Sequence, residues 1–123
     1  KATREVENGV TIYDFEFKYG KGEMDVTEDG LVVSRETVVR EDEVEAPALR
    51  AIRQAAGGGR VAQILREEVS AGLLDGKVVK LASPKFLYEA ELAKRDKVAE
   101  IKVTPTGQVT EAPVWRKKGT KEP

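Results

Sequence analysis

The 123-residue chain contains neither cysteine nor histidine. Without cysteine there is no disulfide framework, thiol nucleophile or thiolate metal site. Without histidine, the commonest general base at neutral pH and the commonest zinc ligand are both missing. Hydrolases built on Ser-His or Cys-His pairs and most zinc enzymes are thereby excluded. The chain also lacks an excess of either charge: 21 Lys and Arg face 22 Asp and Glu, interleaved along the sequence. A phosphate-binding surface normally shows a net basic excess, so nucleic acid is not the expected partner. No apolar run approaches the ~18 residues of a membrane span. Because the chain begins at Lys1 rather than Met, its start is expected to be a processed or trimmed end, with any targeting segment upstream.

What the chain does have is an internal repeat. Ile12 to Lys18 (IYDFEFK) aligns with Leu87 to Ala93 (LYEAELA), and Met24 to Val32 (MDVTEDGLV) with Ile101 to Val109 (IKVTPTGQV); six of the sixteen positions are identical. The shared residues are Tyr13/Tyr88, Glu16/Glu91, Val26/Val103, Thr27/Thr104, Gly30/Gly107 and Val32/Val109. One supersecondary unit used twice constrains the architecture more than any single motif does.

The first copy reads as a four-stranded meander. Asn8-Gly9 between two β-prone runs is a hairpin signal, because both turn positions need positive φ. Tyr13, Phe15 and Phe17 then alternate with Asp14, Glu16 and Lys18, giving one aromatic face and one charged face. Met24 and Val26 are expected to point inward with the aromatics, after a Gly-rich turn at 19–23. In Leu31 to Arg40 the alternation does not decide which face is buried. Pro47 sits where the first helical residue belongs, Leu49, Ile52 and Ala56 recur at helical spacing, and Gly57-Gly58-Gly59 stops the run, which predicts a short helix from Pro47 to Ala56.

In Arg60 to Val69 the residues Val61, Ile64, Leu65 and Val69 also fit one helix face. The repeat favours a strand, since Glu68 to Gly72 falls where Glu5 to Gly9 falls in the first copy. The second copy then carries twelve extra residues, Leu73 to Pro84, expected as a hairpin extension or an edge flap. Further strands follow through Val103 and from Val109 to Trp115, with Pro113 suited to an edge. The expectation is an α+β fold: an antiparallel β-sheet from two related β-meander units, with the short helix packed on a sheet face. Residues 1–42 form the first unit, strands only; residues 43–117 form the second, helix then strands; 118–123 is a frayed tail.

The motif Y-[DE]-x-E-[FL], followed by an alternating strand and an x-G-x-V turn, resembles the PepSY-like, β-lactamase-inhibitor-like family. It is carried by Tyr13 to Phe17 with Val26 to Gly30, and by Tyr88 to Leu92 with Val103 to Gly107; Ala46-Pro47-Ala48-Leu49 resembles that family's Leu-Pro helix start. The resemblance spans nearly the whole chain. It implies a periplasmic or secreted protein without catalytic residues or cofactor, binding a protein or peptide and inhibiting or regulating an enzyme. It also implies a helix in each unit, of which this chain shows only the second.

Two surfaces are candidates for contact. The insertion contributes Leu73, Leu74, Asp75, Lys77 and Val79, because a long excursion in one copy of a repeat is often functional. Trp115 is either an exposed anchor or a core residue. The carboxylate pairs Asp14/Glu16 and Glu89/Glu91 suggest an alternative, a small-ligand or Ca2+-binding carrier using the acidic sheet face, against the simpler reading of a solvated strand face. With no helix of its own, the apolar face of the first unit needs another cover, either the single helix or a second chain in a homodimer.

Overall fold

In the computed structural model, residues 1–17 and 22–119 are described. Residues 19–21 of the Gly-rich turn expected at 19–23 and the end of the expected frayed tail, 120–123, lie outside them, and Gly22 and Glu23 open a strand. The strands are β1 (Ala2–Glu7), β2 (Val10–Glu16), β3 (Gly22–Thr27), β4 (Val32–Val39), β5 (Arg60–Leu74), β6 (Lys77–Lys94), β7 (Lys97–Val103), β8 (Val109–Glu111) and β9 (Arg116–Lys117). A 3-10 turn, Glu41–Glu43, leads into the helix α1, Ala46–Ala56. Hydrogen-bonded neighbours run β1-β2-β3-β4-β5-β6-β7-β8, with β9 beside β7. The fold class is α+β, a mostly antiparallel sheet with one short helix packed against it. The final strand expected over Val109 to Trp115 is instead two short pieces, β8 and β9, on either side of the donorless Pro113.

The chain divides into two compact units, and not at residue 42. The first comprises Lys1–Val38 with Glu67–Phe86, the second Val39–Arg66 with Leu87–Pro123. The long strands β5 and β6 contribute to both, so the inserted residues belong with the first copy's strands.

The second unit follows the sequence closely. Pro47 stands in the first turn of α1, and Ala48, Ile52 and Ala56 form its buried stripe. That stripe packs with Ile64, Tyr88, Ala90, Leu92, Ile101 and Val103. The helix start is tied down from the sheet. Glu45, at the N-cap, makes no capping bond; its carboxylate accepts the Tyr88 hydroxyl instead. Arg66 donates from Nε to the Tyr88 oxygen at 3.3 Å and from Nη2 to the Glu43 carbonyl at 2.6 Å, while its guanidinium lies 5.5 Å from the Tyr88 ring centre. Burial and the Glu45 bond raise the Tyr88 pKa further above its ordinary value, so the hydroxyl remains a donor. At the other end of α1, a Cβ on Gly59 would lie 2.4 Å from the Ala93 carbonyl oxygen, so only glycine lets β5 start this close to β6.

The first unit departs from expectation in which face it buries. Its core is Val10, Ile12, Val33 and Ala71, with Leu31, Leu73 and Val78 against it. Val10 and Ile12 share a strand face with Asp14 and Glu16, not with Tyr13 and Phe15. The aromatic face is the outer one: Phe15 is 39% and Phe17 46% exposed, and Tyr13, Met24 and Val26 are half-buried outside either core. The physical reason is that β2 changes character along one face. That face is apolar next to the Asn8-Gly9 turn, where Leu73 and Val78 close over it, and acidic beyond.

The insertion is a hairpin extension. The β5–β6 turn is Asp75-Gly76, with φ of 49° and 75°, matching Asn8-Gly9 at 48° and 80°. Gly72, aligned with Gly9 in the repeat, lies within β5. The two turns meet: the Asn8 side-chain amide donates to the Leu73 carbonyl at 2.9 Å, and the Gly76 N–H to the Asn8 carbonyl at 2.7 Å.

Candidate functional site

The identical residues of the repeat do the same structural work twice. Thr27 Oγ1 accepts the Leu31 N–H at 3.0 Å, and Thr104 Oγ1 accepts the Gln108 N–H at 3.0 Å. Gly30 N–H donates to the Thr27 carbonyl and Gly107 N–H to the Thr104 carbonyl, with φ of 90° and 92° at the two glycines. These turns set the same register. Tyr13 pairs with Val26 and Phe15 with Met24 in the first unit; Tyr88 pairs with Val103 and Ala90 with Ile101 in the second.

The same face of the two hairpins therefore has two fates. In the second unit Tyr88, Ala90, Ile101 and Val103 lie under α1, each 1% exposed or less. In the first unit the equivalent residues, Tyr13, Phe15, Met24 and Val26, are not in a core. Beside them on β1, Val6 pairs with Thr11 and is 64% exposed. Among the described residues, two cations border the patch. Arg4 lies opposite Tyr13 on β1, and Arg35 lies opposite Met24 on β4, its Nη2 4.0 Å from the Met24 sulfur. Comparison with models of known protein families and with curated proteins finds no match.

The residues singled out in the sequence are divided between the two units. Leu73 packs in the core of the first unit, and Asp75 occupies the turn. Leu74 and Val79 are exposed at 62% and 51%, and Lys77 is exposed beside the turn. Trp115 belongs to the second unit, half-buried against its core, which is the core role rather than the exposed anchor. The face of Tyr13, Phe15, Phe17, Met24 and Val26, expected from the sequence to point inward and to need a cover, keeps Phe15 and Phe17 part-exposed.

The opposite face of the first unit is acidic beyond its core. Asp14 and Asp25 are cross-strand partners, as are Glu16 and Glu23. Asp25 is pushed up to about 6 by burial first and then by Asp14, Glu7 and Glu5, against a lowering bond from the Ser34 hydroxyl at 3.4 Å. Asp14 is raised by burial and by Glu5 and Glu16, and Glu23 by burial and by Asp14, Glu16, Asp25 and Glu5. Asp14 Oδ1 is shut off from solvent with no hydrogen-bond partner among the described residues. No three carboxylates among the described residues are disposed to share a metal ion. This face concentrates like charge.

Proposed function

We propose that this chain is a non-catalytic module of PepSY-like type that binds a protein or peptide outside the cytoplasm, and thereby inhibits or regulates a partner enzyme. One observation carries the reading. The hairpin face that α1 covers in the second unit is left with two part-exposed phenylalanines in the first. Rows of exposed aromatic side chains on a rigid sheet are unusual without a partner, and such residues are enriched where binding energy concentrates. The lack of histidine and cysteine, and the Val-Thr-x-x-Gly turns shared by both copies, favour a binding scaffold over an enzyme.

Selection of binders from a displayed library of random polypeptides tests this. Binders are expected to lose at least tenfold in affinity for the double variant Phe15→Thr, Phe17→Thr, which keeps β-propensity while removing the aromatic surface. The melting temperature should move by no more than about 4 °C, the range expected when part-exposed residues outside a core are changed. Binders that ignore both substitutions would refute the proposal.

A further inference from the structure

The uncovered face has a shape and a charge pattern that specify its occupant. We infer that it receives an amphipathic helix of a partner protein, whose apolar stripe is bordered on both sides by carboxylates. This rests on the binding reading above and names the partner's chemistry.

The first support is the register. Tyr13/Val26 and Phe15/Met24 reproduce the pairs Tyr88/Val103 and Ala90/Ile101, and what lies on the latter is a helix using Ala48, Ile52 and Ala56. A hairpin with this register already accommodates a helix once in this chain.

The second support is width. From β1 to β4 is three strand spacings, about 14 Å across the strands, with Arg4 level with Tyr13 on one side and Arg35 level with Phe15, two residues further along, on the other. A helix with its side chains is about 10–12 Å across. A helix lying between the two arginines would present carboxylates on its flanks to both guanidinium groups. Neither arginine forms an ion pair with another described residue. A long side chain at each border also keeps the centre dry, where Phe15, Phe17 and Met24 meet the apolar stripe.

A second copy of this chain fits less well. Two such faces packed together set Arg4 and Arg35 against their own kind. The exposed side of α1 carries Arg50 and Arg53, the wrong sign for this border.

The test uses two synthetic helical peptides of about five turns, with identical apolar residues at i, i+3/i+4 and i+7 spacing. One carries Glu along both flanks, the other Lys. Fluorescence anisotropy should show the Glu peptide binding the intact chain at least tenfold more tightly, with its helicity rising on binding. Phe15→Thr with Phe17→Thr should weaken it at least tenfold, and Arg4→Glu with Arg35→Glu should reverse the preference in favour of the Lys peptide. Equal binding of both peptides, or no reversal by the charge swap, overturns the inference. So does docking on anionic phosphatidylserine vesicles through these residues in place of the peptide, or a dimer in sedimentation that hides the face. Library binders that need Phe15 and Phe17 but are not helical would overturn this inference alone; binders that avoid the face would remove the binding reading beneath it.

Discussion

Ile52→Ala should lower the stability of the unit containing α1 by about 2–5 kcal/mol, in the upper part of that range. Ile52 is 0% exposed, and the residues above and below it on the buried stripe, Ala48 and Ala56, are small. They have no side chain to move into the space it leaves. Tyr88, Leu92 and Ile101, buried in the same cluster, sit on strands held by cross-strand pairing. Relaxation is therefore limited, and a cavity that cannot collapse is the costly kind. An eleven-residue helix has little stability of its own, so weakening its docking weakens the helix itself. Urea unfolding followed by circular dichroism measures the loss. The exposed neighbour Gln54→Ala serves as the control, expected within about 0.5 kcal/mol of the parent. A loss below 1 kcal/mol at Ile52 would mean that α1 does not hold the second unit together.

Asp25→Asn should stabilise the chain at pH 7.5 and change little at pH 3.5. The folded-state pKa of Asp25 is raised from 3.8 to about 6, so between those values the folded form holds a proton that the unfolded form has lost. Stability contributed by this group is present at low pH and falls as pH climbs from about 4 to 6; above 6 the destabilisation is complete. Asp14 and Glu23 shift in the same direction and extend the effect. The amide removes the charge and keeps an oxygen for the Ser34 hydroxyl. After discounting for water around a partly exposed group, the gain at pH 7.5 is about 1–2 kcal/mol. Thermal melts from pH 3.5 to 8 should show the parent losing stability across pH 4–6 and the variant following a flatter curve. Added salt should narrow the gap at pH 7.5. A variant less stable than the parent at pH 7.5 would mean that the carboxylate is held by an attractive contact, and the sign would be reversed.

The turns were the most legible part of the molecule. Asn8-Gly9, Asp75-Gly76 and the Val-Thr-x-x-Gly pairs are local devices: each needs positive φ or a threonine hydroxyl, and only a few residue types supply either. The helix was equally plain, bracketed by Pro47 and Gly57. For β5, helical spacing of Val61, Ile64 and Leu65 pointed the wrong way, and only its place in the repeat gave a strand. The buried face of the first unit was not legible, because alternation separates two faces without saying which is covered. Val10 and Ile12 share theirs with Asp14 and Glu16, so a count of apolar residues favours the side with Tyr13, Phe15 and Phe17. What decides the matter is the hairpin tip carrying Leu73 and Val78, more than sixty residues away in the chain. The acidic cluster was visible as separate pairs, but its crowding arises from the cross-strand pairing of Asp14 with Asp25.

The first unit is assembled from two stretches, with the helix and the start of β5 between them. Cutting the chain between Val38 and Val39 would leave β1 to β4 without Ala71, Leu73 and Val78, and Asn8 without its carbonyl at Leu73. The two copies of the repeat are thus not two separable modules. During synthesis the four strands made first must wait, with Val10 and Ile12 in water, until the ribosome has passed Val78. Each copy is legible in the sequence as a contiguous segment, yet the smallest piece expected to hold the first core together runs through the whole of the second unit's helix.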